Sequence, residues 1–223
     1  MLAGPFAFGA AMTYTIYGDF GSGAFSSEAA LAEAGAAYVF EPVSLKADAQ
    51  RSPEFRQINP SGKMPALRLP DGTLVTESLA ILLTVADLFP EAGLLPPMGS
   101  AARATAYRWL AFMAGEIYPM VEISDYPERF APAGEGAEAL RARAQSRIRE
   151  NLVTLEDAAG TPWFLGERFS AVDIYVGMFS RWYGSIGRDW NVAEHIPKLN
   201  TLAERLARQP RLAPVWERHF KRK

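Results

Sequence analysis

The stretch at residues 59–67, with the sequence NPSGKMPAL, constrains the fold of this chain more than any other. It holds two prolines and a glycine, and it leads into two short apolar segments, 66–69 and 73–75, separated by a Pro-Asp-Gly turn. This pattern predicts two short strands joined by a hairpin turn. Pro65 has no N–H to give to a strand ladder, which disfavours a central position for it. A cis Met64–Pro65 bond would reverse the chain here and leave the Met64 backbone unpaired at the sheet edge.

The segments around this stretch alternate between strand and helix patterns. Residues 13–17 predict a strand, residues 25–34 predict a helix closed by Gly35, and residues 38–43 predict a second strand whose Pro42 favours a sheet edge. A short helix is expected near residues 53–58, and a longer one from residues 76–78 to Leu88. The first 90 residues therefore predict a small α/β layer with a mixed sheet.

The second half of the chain reads as helical. Residues 90–100 contain three prolines and two glycines, which marks a boundary between domains. We predict helices over 101–114, 137–159, 170–182 and 196–207. The predicted domains are residues 12–92 and residues 101–223, and we interpret residues 1–11 as a loosely held extension.

Composition excludes several classes of function. The 223 residues include no cysteine, which rules out disulfides, thiolate metal sites and cysteine nucleophiles. A net charge of −2 gives no electrostatic reason to expect nucleic acid or an anionic membrane as a partner. His195 and His219 are too few to suggest a metal site, so we expect none. There is no basic leader and no apolar run long enough to span a membrane, which leads us to expect a cytoplasmic protein.

Three segments together resemble one family, the glutathione S-transferases. Residues 59–67 resemble its NPxGxVPxL motif, with Met64 in place of the usual valine. Residues 77–81, ESLAI, resemble its ES-x-AI segment, and residues 164–174, FLGERFSAVDI, resemble its FLxGxxFSxAD segment. The resemblance implies a thioredoxin-like N-terminal domain followed by an all-helical C-terminal domain. From its spacing alone, S-x-x-D at Ser170 and Asp173 predicts a helix cap rather than a catalytic pair.

The resemblance also implies glutathione as co-substrate. Pro65 would be cis, and the Met64 backbone would pair with the cysteinyl part of the tripeptide, as in strand addition. Glu77 and Ser78 would bind the γ-glutamyl end, since Ser78 begins a helix whose free N–H groups suit a carboxylate.

Two further parts of the site follow from the same resemblance. The glycine carboxylate of glutathione needs a cation or an amide, and Lys46 or Lys63 could supply it. We favour Lys46, because family members often use a residue at this place. The pocket for the electrophile should lie between the domains, and its candidate lining residues are aromatic or carry sulfur: Tyr118, Met120, Tyr126, Phe130 and Trp182.

The group that activates the thiol lies between the first strand and the first helix in this family, where it is Tyr, Ser or Cys. Here Tyr17 has the spacing of tyrosine-type members, and Ser22 lies close to the serine-type position. We favour Ser22 because its flanking glycines leave the backbone open to a ligand. The opening of the following helix, residues 24–28, lacks the Arg-Val or Pro-x-x-Ile signature common in the family.

The expected function is that of a glutathione transferase with a detoxifying role. It would activate the glutathione thiol for attack on a small apolar electrophile, or for reduction of a peroxide or disulfide. By the same resemblance it would be a homodimer, with the end of the first domain and the helices after residue 100 at its interface. The alternatives are a non-catalytic glutathione-binding or regulatory protein of the same fold, and a glutathione-dependent isomerase or dehalogenase.

Overall fold

A four-stranded mixed sheet begins the fold in the structure, a computed structural model that describes residues 13–221. Its strands are β1 Tyr14–Gly18, β2 Tyr38–Pro42, β3 Ala66–Arg68 and β4 Leu74–Thr76. In space they lie in the order β2-β1-β3-β4, with β1 parallel to β2 and antiparallel to β3, and β4 antiparallel to β3. All four predicted strands are confirmed to within one residue, and β2 lies at an edge, as Pro42 indicates.

Three helices complete the N-terminal half: α1 Ala24–Glu33, α2 Pro53–Arg56 and α3 Ser78–Leu88. Ile16 of β1 pairs with Leu67 of β3, and both are fully buried together with Phe25 of α1 and Ile81 of α3. The apolar faces of α1 and α3 therefore cover one face of the sheet, as expected for a chain that alternates strands with amphipathic helices.

The rest of the described chain is helical. Its helices are α4 Ala101–Phe112, α5 Tyr118–Asp125, α6 Glu135–Ala158, α7 Ala171–Phe179, α8 Tyr183–Ile186, α9 Val192–His195, α10 Pro197–Leu206 and α11 Ala213–Trp216. A π-helical turn, Met113–Ile117, joins α4 to α5, and another, Glu217–Lys221, follows α11. The sequence patterns missed α5, α8, α9 and α11, because three are only four residues long and a π turn breaks the apolar period before α5.

Helix α7 forms the centre of the helical half, and all nine of its residues are buried. It ends at Phe179, three residues before the predicted end. Its start is the predicted capping box: one Asp173 oxygen accepts from the Ser170 N–H (2.8 Å) and the Ser170 hydroxyl (3.1 Å). The other oxygen accepts from the Phe164 N–H at 2.7 Å, which ties α7 to the preceding loop.

The predicted domains, 12–92 and 101–223, and the extension assigned to residues 1–11 reach beyond the residues that the structure describes. No helix within 13–221 is both long enough and apolar enough to cross a bilayer.

We expect Asp173→Asn to lower the free energy of unfolding by about 1–3 kcal/mol, because an amide cannot accept from all three donors around the carboxylate. Urea unfolding at pH 7 measures this change. Asp157→Asn, at an exposed position on α6, is the matched control and should have little effect.

The deficit of Asp173→Asn should also depend on pH. Burial raises the pKa of Asp173 to about 6, although its hydrogen bonds act to lower it. The folded chain therefore binds this proton at a higher pH than the unfolded chain does. As pH falls from about 6 towards 4, the wild type gains stability relative to the variant, and the deficit of Asp173→Asn should grow. A deficit that shrinks over this range would contradict the assignment.

Candidate ligand site

A cavity of about 990 Å³ lies between the sheet and the helical half. Both halves contribute to its walls: residues 21–23, residues 62–65 and the start of α3 on one side, and α5, Tyr175 of α7 and residues 181–185 on the other. Its size and its position between two structural layers are typical of a small-molecule site.

The loop before α1 forms one wall of the cavity. The buried Ser22 hydroxyl donates to the Asp19 carbonyl at 2.6 Å and accepts from the Ala24 N–H at 3.2 Å. Within the described part of the chain, no group accepts a hydrogen bond from the Gly23 N–H. Because α1 has ten residues and begins here, this free N–H and the positive end of the helix dipole favour a bound anion.

The Met64–Pro65 peptide forms the floor of the cavity and is cis, as the resemblance implies. Strand β3 begins only at Ala66, which pairs with Tyr17 of β1. The Met64 N–H and C=O are hydrogen-bonded to nothing in residues 13–221. An extended peptide segment could therefore pair with the Met64 backbone as an added strand does.

A second helix start faces the same cavity. The N–H groups of Ser78, Leu79 and Ala80 have no acceptor among the described residues, and α3 continues for eleven residues behind them. Glu77, just before them, has φ 64° and an exposed carboxylate that forms no ion pair with any described residue. This end of the cavity therefore offers N–H donors to an anionic group of a ligand and a carboxylate to a cationic group.

Ser78 is held from the helical half. Its hydroxyl lies 2.6 Å from the hydroxyl of Tyr175, a fully buried residue of α7. Burial is the main cause that raises the pKa of Tyr175, so this phenol stays protonated at neutral pH. Tyr175 can therefore donate to the Ser78 oxygen, which leaves the Ser78 proton free for a ligand.

Aromatic rings form the opposite wall. Tyr118 and Trp182 pack edge to face with ring centroids 5.5 Å apart, and the Trp182 indole N–H donates to the Gly21 carbonyl at 2.8 Å. Burial also raises the pKa of Tyr118, so it too remains a neutral phenol. Tyr126 lies at the rim, where the Arg129 guanidinium stacks 3.8 Å from its ring centre.

Comparison with known proteins decides the family. Residues 27–88 match the family model of the glutathione S-transferase N-terminal domain, and residues 138–222 match that of the C-terminal domain. The glutathione S-transferase GstA of Escherichia coli O157:H7 is 30% identical over 195 residues, which cover 85% of this chain and 90% of the relative. The chain belongs to the glutathione S-transferase family.

Two further relatives match this chain over most of their length. The glutathione S-transferase-like protein YncG of Escherichia coli strain K12 is 30% identical over 206 residues, or 92% of this chain and 97% of that protein. A crystal structure of a glutathione transferase homologue from Sulfitobacter, with bound glutathione, matches with a TM-score of 0.85 at 28% identity. The match covers 94% of this chain and 99% of that one. The predicted thioredoxin-like domain followed by a helical domain is thus confirmed.

The glutathione S-transferase fold brings most of the predicted site residues to one cavity. Its lining includes nine of them: Ser22, Lys63, Met64, Pro65, Glu77, Ser78, Tyr118, Tyr126 and Trp182. Lys63 has a partner already, since its ammonium lies 2.7 Å from the Glu122 carboxylate of α5. It therefore stands at the rim as half of an ion pair that joins the two halves of the protein.

Four predicted residues lie outside the cavity lining. The Tyr17 hydroxyl accepts instead from the Arg68 guanidinium at 3.1 Å, because strand alternation turns Tyr17 away from the buried side occupied by Ile16. Lys46 is exposed beside the lining residue Leu45. The other two are Met120, which packs against the core, and Phe130, which is 52% exposed.

The sequence patterns missed several polar lining residues: Gln50, Asp125, Arg129, Tyr175, Arg181 and Arg188. Gln50 is the most informative, since it is only 4% exposed and its side-chain oxygen has no partner in the described residues. Nothing in the charged loop around Gln50 marks it in the sequence. No three acidic or histidine side chains within 13–221 come together as a metal site.

The close approach of α1 to Tyr118 gives a test of this geometry. A Cβ added to Gly23 would lie 1.9 Å from the Tyr118 hydroxyl oxygen, whereas φ at Gly23 is −57°, which alanine adopts freely. We expect Gly23→Ala to lower the free energy of unfolding by about 1–3 kcal/mol through overpacking. Adding Tyr118→Phe should restore part of the loss, because it removes the oxygen in the way.

Gly184→Ala is the control for this experiment, since Gly184 also lines the cavity but has nothing within 4 Å of an added Cβ. Urea unfolding of the four proteins gives the comparison. If Gly23→Ala is as stable as Gly184→Ala, Tyr118 does not lie against the start of α1.

Proposed function

We propose that this chain binds glutathione in the cavity and activates its thiol for attack on a small apolar electrophile, or for reduction of a peroxide or disulfide. One observation carries the proposal: the unpaired Met64 backbone, the unpaired Gly23 N–H and the free N–H groups at the start of α3 all line one cavity. The glutathione bound to the Sulfitobacter homologue supports it.

The proposed binding mode uses mostly backbone groups. The cysteinyl residue of glutathione pairs with the N–H and C=O of Met64, as a peptide pairs with a sheet edge. The γ-glutamyl carboxylate accepts from Ser78 and the N–H groups behind it, where the dipole of α3 adds to the attraction. The free Glu77 carboxylate then binds the α-ammonium of the same γ-glutamyl group.

The glycine end of glutathione is assigned to Gln50 and Arg129. The unpartnered side-chain oxygen of Gln50 can accept the glycine N–H, which removes the cost of an unsatisfied buried acceptor. The Arg129 guanidinium lies 3.7 Å from Glu122 and 3.9 Å from Asp48, too far for hydrogen bonds to either. It is therefore better placed for the glycine carboxylate than Lys63, whose ammonium has a close partner, or than Lys46, outside the lining.

Activation of the thiol is assigned to the start of α1. A free thiol has a pKa of about 8.5, which a hydrogen bond and a helix N-terminus both lower by favouring the thiolate. The Gly23 N–H supplies one donor. Ser22 supplies the second when its hydroxyl rotates from the Asp19 carbonyl to the sulfur, while it still accepts from the Ala24 N–H.

The electrophile would lie against the rings of Tyr118, Tyr126 and Trp182, which give an apolar wall within reach of the thiolate. Aromatic faces of this kind suit flat, unsaturated electrophiles, because offset and edge-to-face packing adds to the burial of apolar surface.

We also propose a homodimer, with the end of α3, the connecting segment and α4 at its interface. Leu88 of α3, Met98 of the connecting segment and Tyr107 of α4 are 47%, 82% and 42% exposed, and an interface at these elements would bury their apolar side chains. Light scattering on the purified chain should give twice the chain mass of 24.5 kDa. A mass of one chain at micromolar concentration would contradict this arrangement.

We expect Ser22→Ala to lower kcat/KM for conjugation of an aryl halide with glutathione by about 100-fold, as for loss of one activating group. Tyr17→Phe is the matched control, because it also removes one hydroxyl from the same part of the chain but acts outside the cavity. Near wild-type turnover by Ser22→Ala, with loss of turnover in Tyr17→Phe, would reverse the assignment.

Calorimetry with glutathione, combined with assays of turnover, separates this proposal from the alternatives. A chain that binds glutathione but turns over neither aryl halides nor peroxides is a binding or regulatory protein, whereas turnover of only an isomerisable or dehalogenated substrate indicates an isomerase or dehalogenase. A chain that does not bind glutathione retains only the fold of the family.

A further inference from the structure

The C-terminal segment of the chain reaches back to the loop before α1. Helix α11 packs against α1, and the π-helical turn Glu217–Lys221 places the His219 side chain at 0% exposure. The imidazole lies among three rings of the sheet half, with centroids 5.4 Å from Phe20, 5.4 Å from Phe25 and 5.9 Å from Phe40. A polar ring buried among aromatic side chains needs hydrogen-bond partners for both of its nitrogens.

His219 has a partner on each nitrogen. Its Nδ1 accepts from the Gly21 N–H at 3.1 Å, which requires that Nδ1 carries no proton. Its Nε2 lies 2.8 Å from the Glu28 carboxylate, to which it therefore donates. This pattern assigns a neutral imidazole that carries its proton on Nε2. The ring therefore connects the backbone of Gly21 to the Glu28 side chain of α1.

Glu28 gives the imidazole a fixed support. Its buried carboxylate also accepts from the Arg218 guanidinium and from the Tyr38 hydroxyl at 3.0 Å. Burial alone would raise the pKa of Glu28, but hydrogen bonds from His219 and Arg218 outweigh it and lower the pKa. Burial and the Glu28 charge raise the pKa of Tyr38 to about 12, so Tyr38 stays a donor.

Gly21 is held on its other side too. Its carbonyl accepts from the Trp182 indole N–H at 2.8 Å, and its φ is +77°, a conformation that glycine adopts without strain. Both peptide groups of this one residue are thus fixed by the helical half of the protein. Asp19 fixes the loop from the sheet half, because its carboxylate accepts from the N–H groups of Phe20 (2.9 Å) and Leu45 (2.7 Å).

We propose that His219 is a positioning residue for thiol activation: together with Trp182 it holds Gly21 so that the Ser22 hydroxyl and the Gly23 N–H face the bound thiol. The inference rests on the proposed function, and it extends the active site to a residue 198 positions away from Gly21 in the chain. Gly21 directly precedes Ser22, so a rotation of its peptide groups would turn the hydroxyl and the free N–H away from the cavity.

Two substitutions separate the two hydrogen bonds of the imidazole. In His219→Asn, the side-chain oxygen stands near the Nδ1 position and can still accept from Gly21, while the contact to Glu28 is lost. In His219→Gln, the terminal amide stands near the Nε2 position and can still donate to Glu28, while the acceptor for Gly21 is lost. Both variants replace the buried imidazole ring with an acyclic amide that fills less of the space, so both should lower the free energy of unfolding.

The measurement is the ionisation of enzyme-bound glutathione, followed by thiolate absorbance as a function of pH, with kcat/KM and urea unfolding on the same proteins. We expect His219→Gln to raise the pH of half-ionisation by about one unit and to lower kcat/KM at pH 6.5 about tenfold. His219→Asn should ionise the thiol as the wild type does. His195→Gln, at the exposed histidine, is the control and should change neither quantity.

A purely structural role predicts a different outcome: both His219 variants would lose stability and leave thiol ionisation unchanged, which would overturn the proposal. If His219→Gln does not fold, Trp182→Phe decides, because it removes the donor on the other side of the same glycine. An unchanged ionisation curve in Trp182→Phe would then overturn it. If the wild type itself does not ionise bound glutathione, the proposed function fails. If the wild type ionises it and the variants do so equally well, only the positioning role fails.

Discussion

The site of this protein depends on peptide groups that the fold leaves unpaired at a cis proline. Strand β3 pairs only from Ala66 onward, so within residues 13–221 the Met64 N–H and C=O have no partner at the start of this strand, where Met64 lines the cavity. The starts of α1 and α3 add further free N–H groups from either side. Because buried backbone groups are costly to leave unsatisfied, these N–H and C=O groups must be open to water or to a ligand.

A site made of backbone groups places few demands on side chains. Because Met64 would contribute only its backbone, its side chain need not match that of valine, which the family pattern has at this position. In the proposed function, specific side chains are needed only at the charged ends of glutathione and at its thiol.

Side chains of the helical half form hydrogen bonds to the site residues of the sheet half. Tyr175 bonds the Ser78 hydroxyl, and Trp182 and His219 bond the two peptide groups of Gly21. Each contact satisfies a buried polar group, so each contributes to stability as well as to the shape of the site. The two halves are therefore coupled at both helix starts, where any bound anion would be placed.

The sequence by itself determined the order of the strands and of the longer helices, and the residues at the start of α3, because these follow from local patterns: strand alternation, proline and glycine positions, and helix starts. The cis proline was implied by the resemblance of residues 59–67 to a family motif and not by these patterns. Tertiary structure alone decided which residues meet. Tyr17 and Ser22 are both plausible in sequence, but the alternation of β1 turns Tyr17 towards Arg68, while the turn before α1 leaves Ser22 at the cavity. Gln50 and His219 carry no local signal, since their partners lie across the fold and contact between distant segments depends on packing rather than on neighbouring residues.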